Sequence, residues 1–559
     1  MSKVRLRLSI LLVVGVAVLV VAWLVVTIPR RVDLAEYAPS EALLYIECND
    51  ILAAATALRH TSAGKLVQSV INEKPPNEWL LSLARWTGLG RAEAVIASRA
   101  QVAIVVTNIN TVPDNETLRI KPEFALIVET HTSPGRTKPI FEQILSRFAQ
   151  SAYGNATLHR EVKDGIELLT WIAPDGRRRI TMSIQNTVLT IANSESAVQT
   201  CLDVRGGKRN SLKANSELMA MRHNLSADQA LTFGFAPSNR IGDVAAIAIP
   251  LITQTDVFTS LPDDLLQRTT GKFVGAIGWA SSANSGHIED RYHLTLTSAF
   301  RERLISTLQP TKIRSELVGQ LATRVESISV YCYESPYTAW QGLEAAVLSQ
   351  LDALSAVMFQ SFLRSVLLSY SIDKPEQLLR QLGREVYTVR ATPQSERALI
   401  VAEIGSNSTI NSLLGAISEN EAQVGELSSG EMMLLGRKEL AVGMKDRYLI
   451  VGTPADVALC LEYFSRPPES GTSNFAVASR FVPPLALTVS KDDQRVFDFI
   501  REVANLSGRA DSIKESDLHK IGNNSFAVTE TYLTENGIER RTVSPVGQIG
   551  ALVTLVASQ

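Results

Sequence analysis

The sequence has few cysteines and none of the compact motifs that mark common enzyme classes. Four Cys in 559 residues are too few for a disulfide scaffold. No Gly-x-Ser-x-Gly elbow, His-Glu-x-x-His helix, Cys-x-x-Cys pair or Gly-x-Gly-x-x-Gly turn occurs. We therefore assign no catalytic, cofactor-binding or metal-binding residue, and the sequence favours a non-enzymatic protein.

The chain also lacks long basic tracts, and its charge is unevenly distributed. Five basic residues and no acid lie in the first 31 positions. Removing these five from the total of 55 Lys and Arg leaves 50 for the rest of the chain, against 57 Asp and Glu. The region after residue 31 is therefore mildly acidic, which argues against a nucleic-acid partner because phosphates bind to basic surfaces.

Residues Leu8 to Ile28 carry no charged side chain and form an almost wholly apolar run. As a helix with a rise of ~1.5 Å per residue, about 20 such residues cross the ~30 Å hydrocarbon core of a bilayer. The run is longer than the roughly 7–15 apolar residues of a signal peptide, and no small-residue cleavage site follows it. We expect an uncleaved transmembrane anchor, with a cleaved signal peptide or a buried soluble helix as the alternatives.

The charges that flank this apolar run predict its orientation. Lys3, Arg5 and Arg7 precede the run, whereas Arg30 and Arg31 follow it. The more basic flank stays in the cytoplasm. We therefore expect a single-pass protein of the inner (cytoplasmic) membrane, in contact with lipid through Leu8 to Ile28, with its ectodomain in the periplasm or outside the cell.

The sequence after the anchor indicates an internal duplication. The run that ends at Cys48 recurs at Cys332, 284 residues later, and His287-Ile288-Glu289 recurs as Gly537-Ile538-Glu539 after 250 residues. Further matching segments lie between these two and occur in the same order in both copies. The number of residues that separates a segment from its match never increases along the chain, as deletions in a second copy would produce. We expect residues 1–31 to be the tail and anchor, residues 32–310 the first α+β repeat and residues 311–559 the second.

Turn residues between β-branched runs predict the fold class. Pro174-Asp175-Gly176 and Asn284-Ser285-Gly286 each separate two strand-like segments, and such short turns join antiparallel strands. A helix is expected between the capping residue Ser194 and Gly206-Gly207. The prediction is an α+β fold: an N-terminal transmembrane helix followed by two homologous domains, each with a largely antiparallel sheet covered by helices on one face.

A long apolar helix is predicted from about Tyr337 to Tyr370. Its Leu, Val, Met and Phe residues follow the spacing of three and four that places side chains on one helical face. Large apolar faces are normally buried, so a core helix packed on its sheet is the first interpretation. A surface that contacts membrane or a partner is the alternative.

The segment from His287 to His293 holds two imidazoles and two carboxylates. On a strand, His287, Glu289, Arg291 and His293 would share one face, and imidazole and carboxylate groups bind Zn²⁺. A central Arg opposes a cation, however, and the second copy keeps Glu539 and Arg541 without a His. A solvated strand face is therefore expected, and a metal site is the alternative.

Two further patterns resemble catalytic or phosphate-binding motifs but are incomplete. Ser62 and Lys65 have the Ser-x-x-Lys spacing of serine β-lactamases, but the Ser-Asp-Asn and Lys-Thr-Gly elements of those enzymes are absent. The segment 205–209 is basic, but Leu202 stands where a P-loop requires Gly. We expect an ordinary loop or helix end near Gly64 for the first and a basic turn after a helix for the second.

The four cysteines are divided equally between the two copies. Cys48 and Cys201 lie in the first copy, and Cys332 and Cys460 lie at matching places in the second. Buried free thiols that fill the same packing positions are the first interpretation. A disulfide within each copy is the alternative, because an exported protein meets oxidising conditions.

The segment Tyr37-Ala38-Pro39-Ser40-Glu41-Ala42-Leu43-Leu44-Tyr45-Ile46 resembles an uncharacterised bacterial family of membrane-anchored, duplicated α+β ectodomains. The resemblance implies a bacterial source and export, and it carries no catalytic residue across. The leading hypothesis is a membrane-anchored extracytoplasmic protein that is not an enzyme and binds or scaffolds an envelope protein or an apolar ligand. The alternatives are an envelope hydrolase whose site is built from distant residues and a carrier of an apolar ligand.

Overall fold

The computed structural model describes residues 31–71, 100–114, 117–245, 270–314, 316–370, 372, 374–405, 428–435, 439–467, 483–506 and 525–557. The predicted span from Leu8 to Ile28 lies outside these residues. Among the described helices, none is long and apolar enough to cross a membrane. The structure therefore does not show the N-terminal transmembrane helix of the predicted fold.

The described strands form one sheet of 19 strands in which every pairing is antiparallel. The strands of the first half are β1 (Leu44–Cys48), β2 (Gln101–Asp114), β3 (Thr117–Glu129), β4 (Thr157–Lys163), β5 (Ile166–Ile172), β6 (Arg179–Gln185), β7 (Val188–Ala192), β8 (Thr232–Ala236), β9 (Val274–Asn284) and β10 (His287–Leu296). Those of the second half are β11 (Ser327–Cys332), β12 (Leu382–Arg390), β13 (Leu399–Ile404), β14 (Met432–Leu434), β15 (Ala441–Lys445), β16 (Tyr448–Gly452), β17 (Ala486–Lys491), β18 (Phe526–Thr534) and β19 (Gly537–Ser544).

The strand order of the second half repeats that of the first in reverse. The order across the first half is β4-β5-β6-β7-β3-β2-β1-β8-β9-β10. It continues as β19-β18-β17-β11-β12-β13-β16-β15-β14. The centre of this order is the β10–β19 pair. Counted outward from it, the strands β10, β9, β8, β1, β2, β3, β7, β6 and β5 each have a counterpart at the same position in the second half, as a duplicated chain would produce.

The prediction of two domains with separate sheets is wrong. The last strands of the two halves, β10 and β19, pair along their length from Ile288↔Ser544 to Thr295↔Gly537. An unpaired edge strand exposes a row of backbone N–H and C=O groups, and joining the two edges satisfies both rows. One continuous antiparallel sheet therefore replaces the two expected sheets.

Helices pack against both faces of the sheet, not one. The described helices are α1 (Ile51–His60), α2 (Ser62–Ile71), α3 (Pro134–Tyr153), α4 (Glu195–Arg205), α5 (Ser216–Leu225), α6 (Ser298–Thr307), α7 (Glu316–Leu321), α8 (Pro336–Leu348), α9 (Ala353–Leu368), α10 (Pro375–Leu379), α11 (Pro454–Ser465), α12 (Asp493–Leu506) and α13 (Gly547–Ala557). Ala103 of β2 packs in one core with Met221 of α5, whereas its neighbour Val102 packs in another with Leu145 of α3. Because successive side chains of a strand point to opposite faces, the two cores lie on opposite sides of the sheet.

The predicted local signals are found at their expected places. Ser194 caps α4, with its Oγ accepting a hydrogen bond from the Ala197 amide at 3.1 Å, and the helix ends at Gly206. Ser285 and Gly286, which join β9 to β10, have φ of 45° and 85°. Positive φ at both central residues is typical of the tight hairpin turn that the sequence predicted.

One hydrophobic core combines elements from both halves. Ile288 of β10 is fully buried among Leu58 of α1 and Val67 of α2, from the first half, and Phe499 of α12 and Ile549 of α13, from the second. Full burial of such a side chain stabilises a fold by about 1.5–3 kcal/mol. The two halves therefore stabilise each other and do not form separate cores at this place.

The predicted helix from Tyr337 to Tyr370 is divided into α8 and α9. Asp352 caps α9 by accepting a hydrogen bond from the Ser355 amide at 3.0 Å, and this cap starts a new helix. α8 packs on α6 and β12. In α9, Ser355 is the one fully buried residue, and Leu354 and Val357 are 69% and 59% exposed. The expected burial of this segment as a core helix is therefore wrong for α9.

Candidate functional site

The His287–His293 cluster forms an ion-pair network across the centre of the sheet. Arg541 donates two hydrogen bonds to the Glu289 carboxylate, at 2.8 and 2.9 Å, and Arg291 donates one to Glu539 at 3.4 Å. His287 is exposed, whereas His293 is buried. No group of three His, Cys, Asp or Glu in the described part of the chain is placed to hold a metal ion. Of the two carboxylates in this cluster, Glu289 binds a guanidinium group instead.

The two incomplete motifs occupy the structural positions that were expected. Ser62 and Lys65 are both exposed in the first turn of α2. In the basic turn after α4, Lys208 and Arg209 form ion pairs with Asp164 at 3.3 Å and with Glu41 at 2.6 Å. These basic side chains neutralise neighbouring carboxylates and do not form a phosphate loop.

All four cysteines are free thiols, so the alternative of a disulfide in each half does not hold. Cys201, Cys332 and Cys460 are buried, and Cys48 is half-buried. Burial raises the pKa of Cys48 to about 11 and those of Cys201 and Cys460 to about 12. Since the thiolate is the nucleophile, these cysteines are poorly suited to catalysis.

A polar cleft of about 650 Å³ lies beside β1 and α5. At its inner end, Arg222 donates to both oxygens of Asp33, at 3.0 and 3.1 Å, and to Glu47 at 2.8 Å. Glu47, which is 4% exposed, also accepts a hydrogen bond from the Tyr45 hydroxyl at 2.6 Å. The cleft is lined by Arg31, Val32, Asp33, Glu47, Asn49, Met219, Arg222, His223, Ser226, Asp228 and Gln229.

Arg222 binds two of the three acids that line this cleft, Asp33 and Glu47. Burial raises the pKa of Glu47, and the charge of Arg222 opposes that rise. A general base must be free to approach the proton that it abstracts. Because Asp33 and Glu47 both bind Arg222, the geometry favours a structural role that joins α5 to β1.

The centre of the sheet holds a second buried acidic pair, Asp290 and Asp492. Asp290 accepts hydrogen bonds from the Trp279 indole at 3.0 Å, from the Gln548 amide at 2.8 Å and from the Ser281 hydroxyl. In Asp492, Oδ2 is buried with no hydrogen-bond partner among the described residues. The pKa of Asp492 is raised to about 6, chiefly by burial and also by the charges of Asp493 and Asp290, against the opposing effect of Arg495.

An apolar cavity of about 590 Å³ opens between α1 and the tip of the β9–β10 hairpin. Four polar side chains border it. The Asp50 carboxylate caps α1 through the Ala53 amide at 2.8 Å, the His60 Nδ1 donates to the Thr56 carbonyl at 2.7 Å, and the Thr56 and His287 side chains are exposed. The cavity is lined by Asp50, Leu52, Ala53, Thr56, Ala57, His60, Leu231, Ala283, Gly286 and His287. Its volume lies within the ~300–1,000 Å³ of typical ligand pockets.

Sequence reasoning singled out the segment from His287 to His293, which includes Asp290, but missed the other residues of these sites. Arg222 and Glu47 are 175 residues apart, and Asp290 and Gln548 are 258 apart, so no local pattern joins them. The Asp at the start of α1 was a detectable capping signal. No family model, curated protein or solved structure matches this chain.

Proposed function

We propose that this protein is a non-enzymatic binding protein of the bacterial cell envelope, attached to the cytoplasmic membrane through residues Leu8 to Ile28. Its ectodomain lies outside the cytoplasm and binds a small apolar ligand in the cavity between α1 and the β9–β10 hairpin. The observation that carries this proposal is the apolar lining of that cavity. A chain held at a membrane meets apolar molecules that partition into lipid.

The lining favours an elongated apolar molecule with a small polar end. Leu52, Ala57, Leu231 and Ala283 provide the apolar walls. His60 keeps Nε2 available at the rim because its Nδ1 donates to the backbone. An apolar body with one polar group therefore matches the lining, because such sites fix orientation through a few polar contacts.

The proposal is tested with a photoreactive apolar probe. The full chain in phospholipid vesicles is irradiated with a long-chain fatty alcohol that carries a diazirine, and the labelled peptides are mapped by mass spectrometry. Label is expected on the peptides that contain Leu52–Ala57 and Ala283. Ala57→Trp fills the cavity and is expected to lower this labelling several-fold.

Two further variants control for folding. Ala283→Trp fills the cavity from the hairpin side, where the alanine is exposed and a large side chain is tolerated. Ala55→Trp places the same ring on α1 but outside the cavity lining, so it is expected to keep the labelling of the unmodified chain. Equal labelling of the unmodified chain and both cavity-filling variants would refute the proposed site.

A further inference from the structure

Helix α9 exposes an unusual amount of apolar surface for a folded protein. Within the helix, Leu354, Val357, Val366 and Leu368 are 69%, 59%, 42% and 37% exposed. Arg364 is its one charged residue. With 3.6 residues per turn, Leu354, Val357 and Leu368 lie within about 60° of one another around the helix axis, whereas Val366 lies on the other side. Exposed apolar strips of this kind mark contacts with other proteins or with membrane.

The fold fixes α9 at both ends, so the exposed side chains are held on a rigid element. At the N-terminal end, the Asp352 carboxylate accepts hydrogen bonds from the Ser355 amide and hydroxyl at 3.0 and 2.7 Å. These bonds lower the pKa of Asp352 to about 2. At the C-terminal end, Leu367 and Tyr370 pack against the core formed by β15 and β16. The exposed stretch between these two ends is therefore already helical before it contacts any partner.

The basic side chains at the C-terminal part of α9 suit a surface of anionic headgroups, and the acidic cap at its other end, Asp352, is paired with Lys272 at 3.7 Å. Arg364 is exposed on the helix. Arg397, also exposed, donates to the carbonyl of Ser369, directly after the last helical residue, at 2.9 Å. An apolar helix with basic side chains beside it is the arrangement by which interfacial helices bind anionic bilayers. Two guanidinium groups therefore lie where lipid phosphates would meet the end of α9.

The proposed attachment keeps a bilayer within reach of the folded region. The Val32 amide donates to the Gln101 side chain at 2.8 Å, so Val32, four residues after Ile28 in the sequence, is bound to the sheet. A residue spans at most about 3.6 Å, so four residues can span no more than about 14 Å. A tethered partner is met at a high effective concentration.

We infer that α9 binds the surface of the same bilayer that holds the N-terminal segment, with Leu354 and Val357 among the acyl chains and Arg364 and Arg397 at the headgroups. The inference rests on the membrane attachment proposed above. Val32 belongs to the first half of the sheet and α9 to the second. Contact through α9 therefore gives each half its own attachment to the membrane.

The test uses the full chain reconstituted in vesicles of phosphatidylcholine and phosphatidylglycerol. Val357→Cys is labelled with the polarity-sensitive dye NBD, and the unmodified chain gives the background from its native thiols. The label is expected to emit at shorter wavelength, to lose most of its emission to doxyl-labelled lipids and to resist aqueous iodide. Val162→Cys on β4 is the matched control, because Val162 is 70% exposed and is expected to remain in water.

The outcomes separate this inference from the attachment itself. Retention of the chain on vesicles after alkaline carbonate extraction measures the N-terminal attachment, independently of the dye. If the chain is retained but the Val357 label responds like the Val162 label, the α9 inference is wrong and the attachment stands. A blue shift that grows with protein density and is not quenched by doxyl lipids would assign α9 to contact with a second copy and would also overturn the inference.

Discussion

Arg291 and Arg541 face each other across the β10–β19 pair, and each donates to the glutamate that lies two residues before the other. Two like charges directly opposite each other are unfavourable in a sheet. Here Glu289 and Glu539 neutralise both guanidinium groups. The local two-fold axis that relates the two halves of the sheet therefore passes between Arg291 and Arg541.

We expect Glu289→Gln to weaken the junction of the two halves. The variant loses two charge-assisted hydrogen bonds at a site where Glu289 and Arg541 are 14% and 18% exposed, and such a loss costs about 1–3 kcal/mol of the free energy of unfolding. Urea denaturation measures the change. Glu195→Gln is the control, because its ion pair with Lys163 is about half exposed and is worth about 0–1 kcal/mol.

The same pair predicts a pH dependence. Burial raises the pKa of Glu289, but its hydrogen bonds to Arg541 and the charge of Arg541 outweigh burial and lower it below the usual value. The pair therefore contributes its full stability above the pKa of an unfolded Glu, about 4.3, and loses it as pH falls through the lower folded value. The difference in unfolding free energy between the unmodified chain and Glu289→Gln should shrink below pH 4. A constant difference down to pH 2 would contradict this account.

Asp492→Asn should stabilise the fold at neutral pH, whereas Glu289→Gln should destabilise it. The pKa of Asp492 in the folded chain is raised to about 6, so the native acid favours the fold below pH 4 and loses that contribution as pH rises to 6. A rise of about two units corresponds to roughly 3 kcal/mol at most. Above pH 6 the variant, which has no charge to bury, is expected to be more stable than the unmodified chain. The urea midpoints of the variant and of the unmodified chain, measured from pH 4 to 7, test this effect. If the difference between the two midpoints does not change with pH, the buried charge of Asp492 is compensated and the prediction is wrong.

The four cysteines should react slowly with iodoacetamide in the folded chain. At pH 8, a thiol with a pKa of about 11, such as that of Cys48, has only on the order of 0.1% thiolate, compared with roughly a quarter for an ordinary Cys. Intact mass is expected to show almost no added label in buffer and four labels in denaturant without reductant. Fewer than four labels in denaturant would indicate a disulfide.

The structure assigns a different role to the charged strand than the sequence alone did. The alternation of His287, Glu289, Arg291 and His293 correctly predicted a strand. A solvated face was expected, but Glu539 and Arg541 of the second half make it a half-buried network. The partners lie about 250 residues away in the sequence, and a single sequence contains no signal for such a pairing.

Local sequence signals are enough to predict the hairpin turns and helix caps, because these depend on neighbouring residues. Ser194, Gly206 and Asn284-Ser285-Gly286 predicted the ends of α4 and the β9–β10 turn without reference to the rest of the chain. The joining of the two halves into one sheet depends on long-range contacts that local patterns do not encode, because either edge strand has the composition of an ordinary half-buried strand. The exposure of α9 depends on such contacts too: periodicity indicates an apolar face, but the elements that cover that face are set by distant parts of the chain.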